Sequence, residues 1–128
     1  AYDSVEHWGL EQVLRYYKVE DNFITLIKDI YSANTANLII NNELSKDIPL
    51  TRGVKQGDGL SPLLFIIFIN PLLKYIEEQY KGYQITNNIK IPILAFADDL
   101  LLCSDSYEET VEMNSVVEEF SQYYGILV

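Results

Sequence analysis

Apolar residues recur at helical spacing along the first quarter of the chain. Leu10, Val13, Leu14 and Tyr17 fall at i, i+3, i+4 and i+7, the stripe of one buried helix face. Phe23, Leu26, Ile27, Ile30 and Tyr31 repeat the pattern, so a second helix is expected. Asp3 or Ser4 is placed to cap the first helix and Asp21 or Asn22 the second, because short oxygen-bearing side chains accept the free N–H groups of a first turn. From residue 37 the period changes. Residues 37–40 read as a strand, Asn41-Asn42 as a turn, and residues 46–51 as the return strand, with Pro49 confining it to an edge or irregular position. Gly53, Gly57 and Gly59 mark a loop. Ser61-Pro62 then opens a long apolar helix, with proline near the first helical position, and the helix is expected to fade over residues 74–80. Residues 82–85, 91–97 and 100–104 are strand candidates, and Asp98-Asp99 lies between the last two. Ser106 and Glu109 have capping-box spacing for a final helix. Its apolar face reads Tyr107, Val111, Val116, Val117, Phe120 and Tyr124, and its glutamates read as a solvated surface.

Composition narrows the class. The chain has 128 residues, 48% of them hydrophobic, which is enough for one domain with its own core. No repeat or low-complexity linker divides it. Residues 60–73 are the most apolar stretch, shorter than the ~20 residues that a membrane span needs. Pro62, Asn70 and Pro71 interrupt it, so a buried helix is expected and no membrane partner. Cys103 is the single cysteine, which rules out an internal disulfide and fits a reducing, intracellular setting, nucleus and cytoplasm not being distinguished. The chain opens on Ala1 without the basic start and apolar run of a signal peptide, and reads as starting inside a longer frame. The net charge of −10 argues against a phosphate-binding surface, and only Arg52 and Lys55 stand close together in a stretch that looks functional.

Candidate chemistry centres on Asp98 and Asp99. Two apolar runs flank them, as in a buried sheet, and a turn would present both acids at its end. Adjacent carboxylates repel unless a cation lies between them. Magnesium takes hard carboxylate oxygens, and two such ions can clamp both oxygens of a phosphoryl transfer. A plain polar turn accounts for the same pair, since Asp is common in turns.

Phe96-Ala97-Asp98-Asp99 resembles the aromatic-Ala-Asp-Asp signature of reverse transcriptases. Arg52-Gly53-Val54-Lys55-Gln56-Gly57-Asp58-Gly59-Leu60-Ser61-Pro62 is similar to the loop-helix motif of the non-LTR retroelement and group II intron members. It stands about 40 residues ahead of the acids, the order and spacing of the family. Gly59 departs from the proline that many relatives carry. Ala1-Tyr2-Asp3-Ser4-Val5-Glu6-His7 resembles the end of the first palm motif, whose metal-binding aspartate precedes the aromatic residue by five positions and so falls before Ala1. Phe120 to Val128 resembles the helix-Gly-Leu stretch that precedes a lysine in relatives, and the chain stops before any such lysine.

The resemblance implies an α/β fold, the palm of a right-hand-type polymerase, with a small antiparallel sheet and helices packed on one face. It implies that residues 1–128 are a partial reverse transcriptase palm without a thumb. It implies a nucleotide site formed by Tyr2, Gln56, Gly57, Phe96 and Ala97, with Tyr2 beneath the sugar. Asp98 and Asp99 would be catalytic and would hold Mg2+ in a two-ion site, with one further aspartate upstream. Asp3 is not that ligand, and His7 is read as structural. RNA template, DNA primer and deoxynucleotide triphosphate are the implied partners of the full-length enzyme, and the fragment alone is expected to be inactive. Two alternatives stand beside this: an inactive retroelement relic, and an acidic interaction domain unrelated to polymerases.

Overall fold

A computed structural model describes residues 2–55 and 57–126, and among them four helices alternate with short antiparallel hairpins. After a 3-10 turn at Tyr2–Ser4 come α1 (His7–Tyr16) and α2 (Asp21–Ser32). The strands β1 (Thr35–Ala36), β2 (Ile39–Ile40), β3 (Glu43–Leu44) and β4 (Ile48–Pro49) follow. Then come α3 (Ser61–Gln79), β5 (Tyr83–Thr86), β6 (Ile89–Ile91), β7 (Ile93–Phe96), β8 (Asp99–Leu102) and α4 (Tyr107–Tyr124).

The core forms on both sides of α3. Its first half, through Leu64, Phe65 and Phe68, packs with Val5, Leu10, Leu14, Ile24, Ile27, Tyr31 and Val54. Its second half, through Ile69, Leu72 and Ile76, packs with Ile93, Met113 and Val117. Each fully buried side chain of this size contributes roughly 1.5–3 kcal/mol. That packing carries α3 through Pro71, although an interior proline costs about 3 kcal/mol or more. It also carries the helix to Gln79 instead of fading from residue 74, because Ile76 is completely buried.

The N-cap positions of the first two helices are held by Glu6 and Glu20, which make no side-chain cap bond, and not by the expected residues. Tyr2–Ser4 is a separate turn. Asp21 is already helical, and its carboxylate accepts from the Arg15 guanidinium at 2.6 Å. A negative charge in the first turn still suits the positive end of the helix dipole. The buried face of α2 is Ile24, Ile27 and Tyr31, whereas Phe23, Leu26 and Ile30 are exposed. The Tyr31 hydroxyl lies 3.2 Å from the buried Ser61 hydroxyl, which fixes that face against the start of α3.

Strand pairing is antiparallel throughout, but the strands form four separate two-stranded ladders instead of one small sheet. β2 and β3 pair around Asn41-Asn42, whose φ values of 52° and 68° suit a tight hairpin turn. The return strand expected over residues 46–51 shrinks to Ile48–Pro49, since proline has no N–H to extend the ladder. Pro92 likewise separates β6 from β7, and its carbonyl accepts from the Cys103 N–H at 2.8 Å. β7 and β8 run in register from Ile93 against Leu102 to Phe96 against Asp99. The two-residue loop between them is Ala97-Asp98, so Asp99 belongs to the strand and not to the turn. Only one face of this hairpin is covered, by the helices that hold Ile93, Leu100 and Leu102. Leu94, Phe96 and Leu101 stand on the open face, against the expectation of fully buried strands.

At α4 the capping box is half realised. Ser106 Oγ accepts from the Glu109 N–H at 3.1 Å, but the Glu109 carboxylate does not return to Ser106. It accepts from the Ser104 hydroxyl and from the Lys81 N–H instead, tying the chain after α3 to the start of α4. Glu109 is therefore more than solvated surface. The buried face of the helix centres on Met113 and Val117, with Val116, Phe120 and Tyr124 beside them. Tyr107 and Val111 are exposed.

Two measurements check this packing. Gly82 has φ +71°, and a Cβ there would lie 2.3 Å from the Pro92 nitrogen. Gly82→Ala should cost more than about 2 kcal/mol in urea unfolding, since backbone on both sides must move. The Glu109 carboxyl is held below its ordinary value, first by the Ser104 hydroxyl and then by the Lys81 amide. A lowered folded-state value contributes stability above the ordinary carboxylate range, and that contribution is lost as pH falls through the folded value. Between pH 7 and pH 3, stability should therefore fall less steeply in Glu109→Gln than in the unsubstituted chain.

Candidate active site

The acidic hairpin is built from its base upward. Ile93, buried at 6% exposure, seats β7 on the cluster shared by α3 and α4, and Leu100 and Leu102 add the same face of β8. Side chains alternate across a strand, so Asp99 shares the open face with Leu101 and, through the register, with Leu94 and Phe96. Phe96 is 83% exposed, the most exposed aromatic ring of the described residues. Ala97 has φ +53°, in the left-handed region that costs an alanine roughly 1–2 kcal/mol. Glycine or asparagine would meet this turn at lower cost, so the sequence carries no signal for the conformation. Asp98 follows in the loop and is exposed, as is Asp99. The structure thus brings Phe96, Ala97, Asp98 and Asp99 to one tip.

The second group lies around the N-terminal turn. The Tyr2 ring stacks on Phe65 with centroids 4.6 Å apart and planes 11° from parallel. Its carbonyl accepts from the Val54 N–H at 2.9 Å, and the Val5 carbonyl accepts from the Gly53 N–H at 2.8 Å. These bonds lace the start of the glycine loop to residues 2–5. Gly53 is required there: at φ +91° a Cβ would lie 2.9 Å from the Asp3 carbonyl oxygen. His7 Nε2 donates to the Gly53 carbonyl at 2.9 Å and fixes the same loop, in keeping with a structural role. Gly57 is exposed, with φ +84° and open space around it. Gln56 lies outside the described residues. Asp58, which sequence reading passed over, accepts from the Leu60 N–H at 2.9 Å and turns the loop into α3.

A cleft of about 360 Å3 adjoins this loop, and Arg52 and Lys55 line it together with Asp3, His7 and Asn34. The two cations that stand close in sequence therefore share one wall. Tyr2 and the acidic tip belong to the two different clusters that α3 joins, Phe65 beneath Tyr2 and Ile69, Leu72 and Ile76 beneath Ile93.

For a divalent cation, Asp98 and Asp99 offer the hard oxygen donors that magnesium prefers. Among the described residues, no group of three or more His, Cys, Asp or Glu side chains could hold a metal ion. The pair fits part of a coordination shell and not a complete one. No described helix is long and apolar enough to cross a membrane.

Comparison with known proteins identifies the family of the chain. The family described as reverse transcriptase (RNA-dependent DNA polymerase) matches residues 1–128. A Pol polyprotein described as retrovirus-related, from the type-1 retrotransposable element R2 of Popillia japonica, is 34% identical over 105 residues. The match covers 82% of this chain and 17% of that protein. The counterpart from the type-2 element R2DM of Drosophila melanogaster is 33% identical over 106 residues, covering 83% and 10%. That from the type-1 element R2 of Nasonia vitripennis is 33% identical over 126 residues, covering 98% and 12%. The chain thus spans between a tenth and a sixth of the length of these relatives. A match along the whole chain sets aside the alternative of an acidic module unrelated to polymerases. The chain belongs to the reverse transcriptase family, in the branch of the non-LTR retrotransposons.

Proposed function

We propose that this chain forms the palm region of an RNA-directed DNA polymerase, in which Asp98 and Asp99 hold the divalent cations of nucleotidyl transfer. The observation that carries the reading is the adjacent acid pair at the tip of a hairpin whose base is anchored on α3 and α4. A rigid base with acids on an exposed tip suits a site that must receive a large substrate from solvent.

The chain's own residues divide the work. Asp98 and Asp99 would hold Mg2+ together with a further aspartate of the longer protein, and the bound ions would supply Lewis-acid stabilisation of charge on the reacting phosphate. Phe96, exposed beside Asp99, offers a flat apolar surface to a primer or nucleotide sugar. Tyr2, held in place by Phe65, forms a floor on which a deoxyribose fits and a 2'-hydroxyl does not. By the family's loop motif, Gln56 and Gly57 are assigned to recognition of the incoming nucleotide and the templating base. RNA template, DNA primer and deoxynucleotide triphosphate are the partners of the longer protein. With a net charge of −10, most of the cationic surface for the nucleic acid comes from elsewhere in that protein.

Two experiments test the proposal. Calorimetry should detect Mg2+ or Mn2+ binding with a dissociation constant on the order of 1 mM, as suits two carboxylates completed by water. Asp98→Asn with Asp99→Asn should abolish it, and unchanged binding in that double variant would count against the metal role. The 128-residue chain alone should give no RNA-templated primer extension. Extension that Asp98→Asn abolishes would contradict the need for a further ligand.

A further inference from the structure

Arg52 and Lys55 have no role in the function proposed above, yet both line the cleft of about 360 Å3 beside the glycine loop. Across it stand Asn34 and Leu50, which flank the β1–β4 ladder. The backbone around the cleft is already fixed. The Leu50 N–H donates to the Asn34 carbonyl at 2.8 Å. The Gly53 and Val54 N–H groups donate to the Val5 and Tyr2 carbonyls at 2.8 and 2.9 Å. Those amides are engaged, so a ligand in the cleft meets side chains. A site that is set before binding loses little entropy when it is filled.

Charge selects the ligand. Of the nine cations of the chain, Arg15 and Lys28 are paired with carboxylates of α1 and α2, and Lys74 lies over the Tyr17 ring. Lys55 is exposed and makes no ion pair among the described residues. Arg52 is exposed too, and its guanidinium meets Glu6 only at 3.9 Å. An exposed pair contributes at most about 1 kcal/mol, so it yields to a competing anion. Asp3 is the one carboxylate in the lining, against two cations. The apolar Leu50 wall concentrates their field, and the Asn34 amide offers a neutral donor. The cleft therefore suits an anion.

Three residues of backbone separate the two cations, a reach of at most about 11 Å. Two or three successive phosphates of one strand fit that span at a rise of about 3.4 Å. In the proposed reaction the phosphates of the incoming nucleotide go with its metal to Asp98 and Asp99, whose hairpin is seated on the second cluster. The cleft borders the first cluster through Val54, and Tyr2 does not line it. We propose that Arg52 and Lys55 hold two backbone phosphates of the single-stranded template; the identity of the strand rests on the polymerase function, its charge on the cleft alone.

The test titrates the 128-residue chain with a uridylate hexamer, free of divalent cation, and follows the backbone amides by NMR. Saturable shifts should centre on residues 50–55, His7 and Asn34, with a dissociation constant on the order of 1 mM at low salt. Over about 20–200 mM salt, two contacts to a single strand give log K against log salt a slope of about −1.4. Arg52→Gln or Lys55→Gln should each reduce the slope to about −0.7 and weaken binding roughly fivefold at low salt. Arg52→Lys keeps the charge and should keep the slope, which a packing role would not predict. Asp3→Asn removes the opposing carboxylate and should tighten binding about threefold. Shifts confined to other surfaces, an unchanged slope when Arg52→Gln and Lys55→Gln are combined, or tighter binding of a deoxynucleotide triphosphate than of the hexamer at these residues would each overturn the proposal. Without divalent cation the titration is independent of the metal role. A failed RNA site beside intact Mg2+ binding removes only the cleft, and the reverse removes only the metal role.

Discussion

The two-sided burial of α3 is the constraint on which the rest depends. One helix supplies Phe65 and Phe68 to the cluster that holds α1, α2 and the glycine loop. The same helix supplies Ile69, Leu72 and Ile76 to the cluster that holds the acidic hairpin and α4. Phe120 packs against both clusters. Interiors are close-packed and transmit displacement. A shift of α3 along its axis would therefore move Tyr2 and the hairpin base together, which keeps the two parts of the candidate site in a fixed relation. The interior proline is tolerated because this double burial outweighs one missing backbone bond.

Local geometry then does at each end what packing does in the middle. At the glycine loop, hydrogen bonds to residues 2–5 and from His7 set the backbone, and Gly53 permits the approach. At the acidic tip, the backbone at Ala97 holds a conformation that its side chain disfavours. Strain of this kind persists where the flanking structure over-determines it. Here that structure is a ladder of four matched pairs seated on a buried isoleucine.

Helix existence was legible in the sequence because its signal is a period repeated over many residues. Leu10, Val13 and Leu14 are buried as their spacing implies. The face of α2 was read off by about one residue, since apolar residues on both sides of Ile27 blur the stripe and only packing against α1 and α3 selects Ile24. Met113 escaped notice because its neighbours are polar, yet it is completely buried. Caps were the least legible feature: Asp21 bonds back to Arg15 and Glu109 to Ser104, near in sequence but not in the capping pattern, and Glu109 also to Lys81, 28 residues away. At the candidate site, Asp98 and Asp99 stood out as chemistry between two apolar runs. That one side of those runs lies open, and that the loop begins at Ala97, depends on tertiary packing and register that residue types alone do not encode.

Among the described residues each of the four ladders has two strands, so each presents two edges that no further strand covers. On β7 and β8 those edges border the apolar side chains of Leu94, Phe96 and Leu101. Such edges template association between molecules. The excess of ten negative charges works against that encounter, because like-charged molecules repel before their edges can meet. The acidity of the chain thus acts as colloidal protection for open strands.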